Sequence, residues 1–168
     1  MTKLTAAIAS AVFVLVAPTS VVGVIPWWIC RWQLNPPFLG LYALRYLGVV
    51  MLIIGVAGLL DSVGRFVVKG SGTPAPVAPP QTLVVSGLYR FVRNPMYVAV
   101  VSTIAGQALL FASVELLEYA FGVWLCTHLF VCFYEEPHLK KCFGEPYELF
   151  LRHVPRWIPR LRPWNDPM

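Results

Sequence analysis

The chain has 168 residues, of which 58% are hydrophobic and only 12% are charged. A soluble domain carries about 25% charged residues, so this composition excludes an ordinary water-soluble domain and indicates a protein in lipid. The length indicates a single domain, residues 1–168. The net charge of +5 comes from basic residues between and after apolar stretches, which favours a membrane face over nucleic acid as the partner. The four cysteines form no C-x-x-C pair, so neither a metal site nor a disulfide framework is predicted.

The first apolar stretch, residues 4–25, is long enough to cross a bilayer, which requires about 20 residues. Pro18 predicts a kink in this span. The apolar character continues to Ile29, too far for a secretory signal, so we interpret the stretch as a retained helix. Pro26 marks the start of a loop rich in proline and tryptophan, as expected at a membrane interface.

The second predicted span covers residues 41–60. Arg45, near its start, can extend its side chain outward to the interface. Gly48 and Gly55 are seven residues apart, so they share one face of the helix. Small residues on one face predict close packing against another helix.

The next two spans are predicted to form a helical hairpin. Residues 69–81 are rich in glycine and proline and read as an extended loop. Residues 96–112 form the third span and residues 119–134 the fourth, whose helix is expected to begin at Leu116. Only the tight turn at residues 113–118 connects them, so they must run antiparallel.

Beyond Glu135 the sequence becomes amphipathic. Apolar residues recur at helical spacing but are interrupted by Gly144 and Pro146, which predicts two short helices on the membrane surface or on the loops. Residues 155–168 are predicted to be irregular. The expected fold is therefore an all-α integral membrane protein with four transmembrane helices and amphipathic C-terminal helices on its cytoplasmic face.

The basic residues predict the orientation. With the N-terminus inside, the cytoplasmic side holds eleven of them: Lys3, Arg65, Lys69, Arg90, Arg93, Lys140, Lys141, Arg152, Arg156, Arg160 and Arg162. The other side holds Arg31 and Arg45. This bias predicts a multi-pass protein with both termini in the cytoplasm.

Polar residues concentrate in two segments, 81–97 and 135–156, which the hairpin returns to the same membrane face. Asn94 is expected to cap the third helix, with Pro95 at its first position. Such a pair can serve simply as a helix start. Glu135 and Glu136 stand at a membrane boundary, where carboxylates require a cation or a donor. They could also belong to an ordinary solvated helix start.

His128 lies inside the fourth span, and an ionisable residue there is a functional candidate. A structural role is the alternative, because Thr127, Gln107 or a backbone carbonyl could satisfy the imidazole.

These segments resemble the membrane methyltransferases that include isoprenylcysteine carboxyl methyltransferase and phosphatidylethanolamine N-methyltransferase. The resemblance covers residues 80–160 in ordered motifs: Gln81-Thr82-Leu83-Val84, Ser86-Gly87-Leu88-Tyr89, Arg93-Asn94-Pro95-Met96-Tyr97, Tyr134-Glu135-Glu136-Pro137, Phe143-Gly144-Glu145-Pro146-Tyr147 and Val154-Pro155-Arg156. Each motif is short, and the set on a transmembrane hairpin carries the specificity.

The resemblance implies a cytosol-facing site for S-adenosylmethionine, roofed by loops and floored by the last two spans. Its implied cofactor contacts are Gln81, Thr82, Leu83, Val84, Tyr89, Asn94, Pro95, Met96, Tyr97 and Glu135. Arg93, His128, Glu136 and Arg156 are the candidate substrate-binding residues. Tyrosine rings can face the sulfonium by cation–π attraction, and helix-start amides can bind the carboxylate. No catalytic residue is assigned.

The sequence departs from the family at two positions. Asn94 replaces a histidine found in many members, although the phosphatidylethanolamine branch has a similar Asn-Pro-Met-Tyr. Val131 stands where the prenylcysteine enzymes have an arginine thought to meet the substrate carboxylate, which puts a prenylcysteine acceptor in doubt.

The predicted function is methyl transfer from S-adenosylmethionine to a lipid-like or small hydrophobic acceptor in the bilayer. Two alternatives remain at this point. One is a membrane reductase of the sterol-reductase type that uses NADPH, and the other is a non-catalytic membrane scaffold.

Overall fold

The structure is a computed structural model that describes residues 16–69, 83 and 85–165. These residues contain no strand, and they form five helices. We label them α1 (Val16–Cys30), α2 (Tyr42–Lys69), α3 (Pro95–Phe111), α4 (Val114–Phe143) and α5 (Glu145–His153). The glycine- and proline-rich loop predicted at residues 69–81 lies, after Lys69, outside the described residues. So do the start of the first predicted span and residues 166–168 of the tail.

The predicted loop start at Pro26 is wrong, because α1 continues through this proline to Cys30. A π-helical turn at Ser20–Val24 precedes Pro26. Pro26 has no N–H for the carbonyl of Val22, and the Ile25 N–H bonds Ser20 instead of Val21. Side chains replace the lost donors, with Gln107 Nε2 2.7 Å from Val22 O and the Tyr119 hydroxyl 3.1 Å from Val21 O.

Helices α2 and α3 pack closely and antiparallel through glycines. A Cβ atom on Gly55 would lie 2.8 Å from the Thr103 backbone nitrogen, and one on Gly48 would lie 2.7 Å from the Gly106 carbonyl oxygen. Neither position has room for a larger residue, so the close packing predicted from Gly48 and Gly55 is confirmed. Arg45 does not simply extend outward, since its Nε donates to Leu110 O over 3.1 Å at the end of α3.

The turn between α3 and α4 is shorter than predicted. Only Ala112, with a φ of 52°, and Ser113 separate the two helices, and α4 begins at Val114 instead of Leu116. The Ser113 hydroxyl accepts a hydrogen bond from the Leu116 N–H. The sequence predicts Glu115 in the connection between the helices, but it lies in the first turn of α4. A carboxylate there interacts favourably with the helix dipole.

Helix α4 does not stop at Tyr134 as predicted. It runs through a π-helical turn, Val131–Glu135, into the amphipathic segment Glu136–Phe143. Gly144, with a φ of 58°, then ends it and allows α5 to begin at Glu145. The two amphipathic C-terminal helices are thus present, but the first is the continuation of the fourth apolar helix.

Two of the helices, Tyr42–Ser62 within α2 and Val114–Phe143, are long and apolar enough to cross a membrane. Two others, Val16–Cys30 and α3, are apolar but shorter. The end of the bundle where α2 finishes and α3 begins is called the site end below.

Candidate functional site

The chain after α5 folds back over the segment that leads into α3. Three backbone hydrogen bonds join them: Arg93 N to Pro155 O at 2.9 Å, Arg160 N to Phe91 O at 3.0 Å, and Trp164 N to Arg90 O at 2.9 Å. The described part of the tail, residues 155–165, has no regular secondary structure, as predicted, yet it is fixed at several points. Together these segments form a roof over the site end.

An apolar cluster supports the roof from beneath. Tyr147 and Phe150 on α5 pack with Val154 and Trp164, and all four are buried. Leu83, one of the implied cofactor contacts, packs against this cluster together with Val85. The apolar face of α5 therefore packs against the loops, which is one of the two alternatives that the sequence leaves open.

Glu136 holds two arginines from opposite sides of the roof. Its Oε1 lies 2.7 Å from Arg93 Nη1, and Arg156 binds both of its oxygens at 2.8 Å. Arg93 comes from the entry to α3 and Arg156 from the tail, so the carboxylate joins α4 to both roof segments. The hydrogen bonds to Glu136 raise the pKa of Arg156 further, so Arg156 stays cationic.

Glu135 faces a different neighbour. Its Oε2 accepts a hydrogen bond of 3.3 Å from the Tyr97 hydroxyl on α3. Adjacent residues of a helix point about 100° apart, so the two carboxylates contact two separate partners near the start of α3. An ordinary solvated helix start, the alternative for this pair, is excluded because both residues lie inside the continuous helix α4.

Tyr89 completes the group of aromatic and acidic side chains at the site end. Burial raises the pKa of its phenol, and the nearby carboxylates of Glu135 and Asp61 raise it further. Tyr89 is therefore a neutral hydrogen-bond donor at physiological pH. Asp61, near the end of α2, is a site neighbour that the sequence reasoning missed. Its only sequence signal is an acid at the boundary of an apolar span.

Two buried polar atoms at this end have no hydrogen-bond partner among the described residues, Ser62 Oγ and Arg93 Nε. Ser62 is seven residues after Gly55, so it lies on the face of α2 that packs against α3, next to the start of α3. Buried polar atoms without partners are uncommon in folded proteins, and a bound ligand is one explanation for them.

Asn94 does not cap α3 with its side chain as predicted. Its Nδ2 donates instead to the Arg156 carbonyl oxygen over 3.2 Å, so the residue ties the tail to the helix start. Pro95 does occupy the first helical turn. The backbone N–H groups of that turn have no side-chain cap from Asn94, which leaves them available to an anion.

None of the three partners predicted for His128 satisfies its side chain. The tail residue Trp157 donates from Nε1 to His128 Nδ1 over 3.0 Å, and Cys132 Sγ lies 3.7 Å from Nε2. Thr127 bonds carbonyls of its own helix, and Gln107 binds α1. His128 therefore holds the tail, and its contacts give it a structural role.

The structure thus brings most of the named residues to one end of the bundle. Asn94, Pro95, Tyr97 and Glu135 lie beside Arg93, Glu136 and Arg156, with Met96 in the same helical turn as Tyr97. Leu83 belongs to the apolar support of the roof. Gln81, Thr82 and Val84 lie outside the described residues.

The fold and this site together define an all-helical membrane protein whose polar residues converge at one end of an apolar bundle. A model of the phospholipid methyltransferase family matches residues 43–146, more than half of the chain. The chain therefore belongs to the phospholipid methyltransferase family, which confirms the resemblance seen in the sequence and indicates a methyltransferase. The match includes Tyr89, Tyr97 and Glu135 but ends before Arg156. No curated protein and no solved structure shows a significant match.

Proposed function

We propose that the chain transfers a methyl group from S-adenosylmethionine to a lipid-like or small hydrophobic acceptor in the membrane. The observation that carries this proposal is the contact between Tyr97 and Glu135. It brings two motifs that are 38 residues apart together beneath a roof, in a chain that belongs to a methyltransferase family.

The residues at the site end fit the cofactor. S-adenosylmethionine combines cationic groups, a carboxylate and an adenine ring. The Glu135 carboxylate suits a cation, and the Tyr89 and Tyr97 rings suit adenine or the sulfonium. The first turn of α3 suits the carboxylate. Ser62 Oγ and Arg93 Nε, both buried and without a described partner, add two polar atoms that a ligand can satisfy.

When bound, S-adenosylmethionine supplies a methyl group already activated by the positive sulfur. The protein therefore has to orient the two reactants and exclude water. No covalent enzyme intermediate is needed. Glu135, Tyr89 and Tyr97 would hold the cofactor, while the roof fixed by Arg156 and Trp164 would keep water out. Placing two reactants correctly can contribute about 7–11 kcal/mol to lowering a barrier.

The two reactants would reach the site from different sides. We propose four transmembrane helices with the site end in the cytoplasm, so that the cofactor enters from the cytosol and the acceptor laterally from the bilayer. Among the candidate substrate contacts, Arg93, Glu136 and Arg156 bind one another, which makes holding the roof their first role.

The test combines cofactor binding with product identification. Purified full-length protein in lipid nanodiscs is titrated calorimetrically with S-adenosylmethionine and, for comparison, with NADPH. The same sample is then incubated with methyl-labelled cofactor and a lipid extract of the host. We expect binding of S-adenosylmethionine, no comparable binding of NADPH, and label in a lipid-soluble product. A folded protein that binds neither compound, or NADPH alone, would overturn the proposal.

A further inference from the structure

The tail carries an apolar surface that the described part of the chain leaves largely uncovered. We define the tail surface as Trp157, Ile158 and Leu161. Ile158 is 79% exposed and Leu161 is 98% exposed. Single exposed apolar side chains are common on proteins, but here Ile158 and Leu161 lie beside the half-buried Trp157 within five consecutive residues of a segment whose backbone is fixed.

Both ends of this segment are fixed to the roof. Arg156 binds Glu136 on one side, and on the other the Arg160 N–H donates to Phe91 O over 3.0 Å. The Arg160 guanidinium folds back onto the His153 carbonyl at 2.8 Å. Polar groups of the segment are thus turned toward the protein. Pro159 and Pro163 have no backbone N–H. The segment therefore has fewer backbone donors that would lose their hydrogen bonds to water in an apolar environment.

The tail also reaches down the side of α4. Trp157 donates to His128, which lies seven residues before Glu135, or about 10 Å along the helix axis. His128 in turn stacks on Trp124 with ring centroids 5.3 Å apart. The tail surface therefore adjoins the part of α4 where Leu125 and Leu129 are exposed, in the apolar stretch long enough to cross a membrane.

We infer that the tail surface inserts into the bilayer at the boundary between headgroups and acyl chains, and that its partner is lipid. Tryptophan is enriched at this boundary, and Arg162, exposed just beyond Leu161, can reach the lipid phosphates. An interfacial segment of this kind inserts about 5–10 Å, which is comparable with the roughly 10 Å of helix axis between Glu135 and His128, the partner of Trp157. A second copy of the chain would cover the same surface but would not explain its continuity with α4.

This inference requires α4 to cross the bilayer but does not require methyl transfer. Photocrosslinking of the full-length protein therefore tests it independently of cofactor binding. The photoreactive amino acid p-benzoylphenylalanine replaces Ile158 or Leu161, one at a time, in nanodiscs of phosphatidylcholine and phosphatidylglycerol. Ile54, 64% exposed on α2, is the positive control, and Asn165, exposed at the end of the described tail, is the matched polar control.

After irradiation, intact-mass spectrometry detects covalent adducts. We expect lipid adducts at 158 and 161 with yields comparable to position 54 and several-fold above position 165. Lipid adducts at position 54 without any at 158 and 161 would overturn the inference. Covalent dimers in place of lipid adducts at position 161 would also overturn it and assign the surface to a second copy. Each site is exposed, so the probe does not disturb packing.

Discussion

In the proposed function, Glu135 is the residue on which cofactor binding depends most directly. Glu135→Gln keeps the size of the side chain and an oxygen to accept from the Tyr97 hydroxyl, but it removes the charge. A hydrogen bond to a charged group contributes roughly 1.5–3 kcal/mol, so we predict about 10- to 150-fold weaker binding of S-adenosylmethionine. Isothermal titration in one lipid environment measures the difference.

The matched control is Glu148→Gln. Glu148 lies on α5, where it pairs with Lys140 on the exposed surface at 2.9 Å. We expect its cofactor affinity to equal that of the parent. If Glu135→Gln binds as tightly as Glu148→Gln, Glu135 does not contact the cofactor.

Glu136 has a different expected role, although it is the adjacent residue. Its contacts with Arg93 and Arg156 predict a loss of stability in Glu136→Gln, because two guanidiniums lose their shared carboxylate. Removing one partner of a buried ion pair costs about 3–5 kcal/mol, and we expect less here because Arg156 is partly exposed.

Reversible unfolding in mixed micelles measures this loss for Glu136→Gln against the parent. Arg156→Lys is the companion variant, since it keeps the charge but cannot bind both oxygens. We expect its stability to lie between those of the parent and Glu136→Gln. Parent-like stability in Glu136→Gln would show that the three charges do not hold the roof.

Packing between α2 and α3 depends on glycines. A Cβ atom on Gly55 would meet the Ala99 carbonyl oxygen at 2.9 Å and the Thr103 nitrogen at 2.8 Å, and neither backbone atom can move alone. Gly55→Ala must therefore push the helices apart, and overpacking of this kind costs typically about 1–3 kcal/mol. We predict that the melting temperature falls.

Gly64→Ala is the control on the same helix, because a Cβ atom there meets nothing within 4 Å. Alanine is favoured over glycine in a helix by up to about 1 kcal/mol, so this variant should melt at the parent temperature or above it. Equal melting temperatures for the two variants would contradict the close packing of α2 and α3.

The positions of the helices were predictable from hydrophobic periodicity and from the length of the apolar stretches. The residues at which the helices begin and end were less predictable. The third helix was predicted at residues 96–112 and is found at Pro95–Phe111. The π-helical turns at Ser20–Val24 and Val131–Glu135 could not be predicted. Each ends two residues before a proline, Pro26 or Pro137, whose missing N–H leaves a backbone carbonyl without its usual donor. At the first turn Gln107 supplies a donor in its place.

The candidate site was predictable as a pair of segments but not as a set of contacts. The hairpin brings Tyr97 to Glu135, as the sequence indicated. Asp61 and the roles of Asn94, His128 and Trp157 depend on how the tail returns over the bundle. No periodicity encodes that path, since residues 154–165 form no regular structure and are held by separate polar and apolar contacts with distant parts of the chain.

The basic residues predict the orientation of the whole molecule, and in the proposed function this orientation determines from which side the cofactor enters. Arg93, Lys140, Arg152 and Arg156 all lie at the site end, whereas the connection between α1 and α2 lies at the other end. The positive-inside rule therefore predicts a cytoplasmic site end. Leu39, 90% exposed in that connection, and Arg152, exposed on α5, are suitable reporters for the two sides.

Single cysteines at these two positions test the prediction in a background where Cys30, Cys126, Cys132 and Cys142 are replaced by alanine. An impermeant maleimide applied to intact cells should label Leu39→Cys at once and Arg152→Cys only after the membrane is opened. Neither substitution removes a contact of the site or the roof, so cofactor binding serves as the check on folding. Labelling of Arg152→Cys from outside would show that the orientation is the opposite of the predicted one. The cofactor would then have no cytosolic route to Glu135.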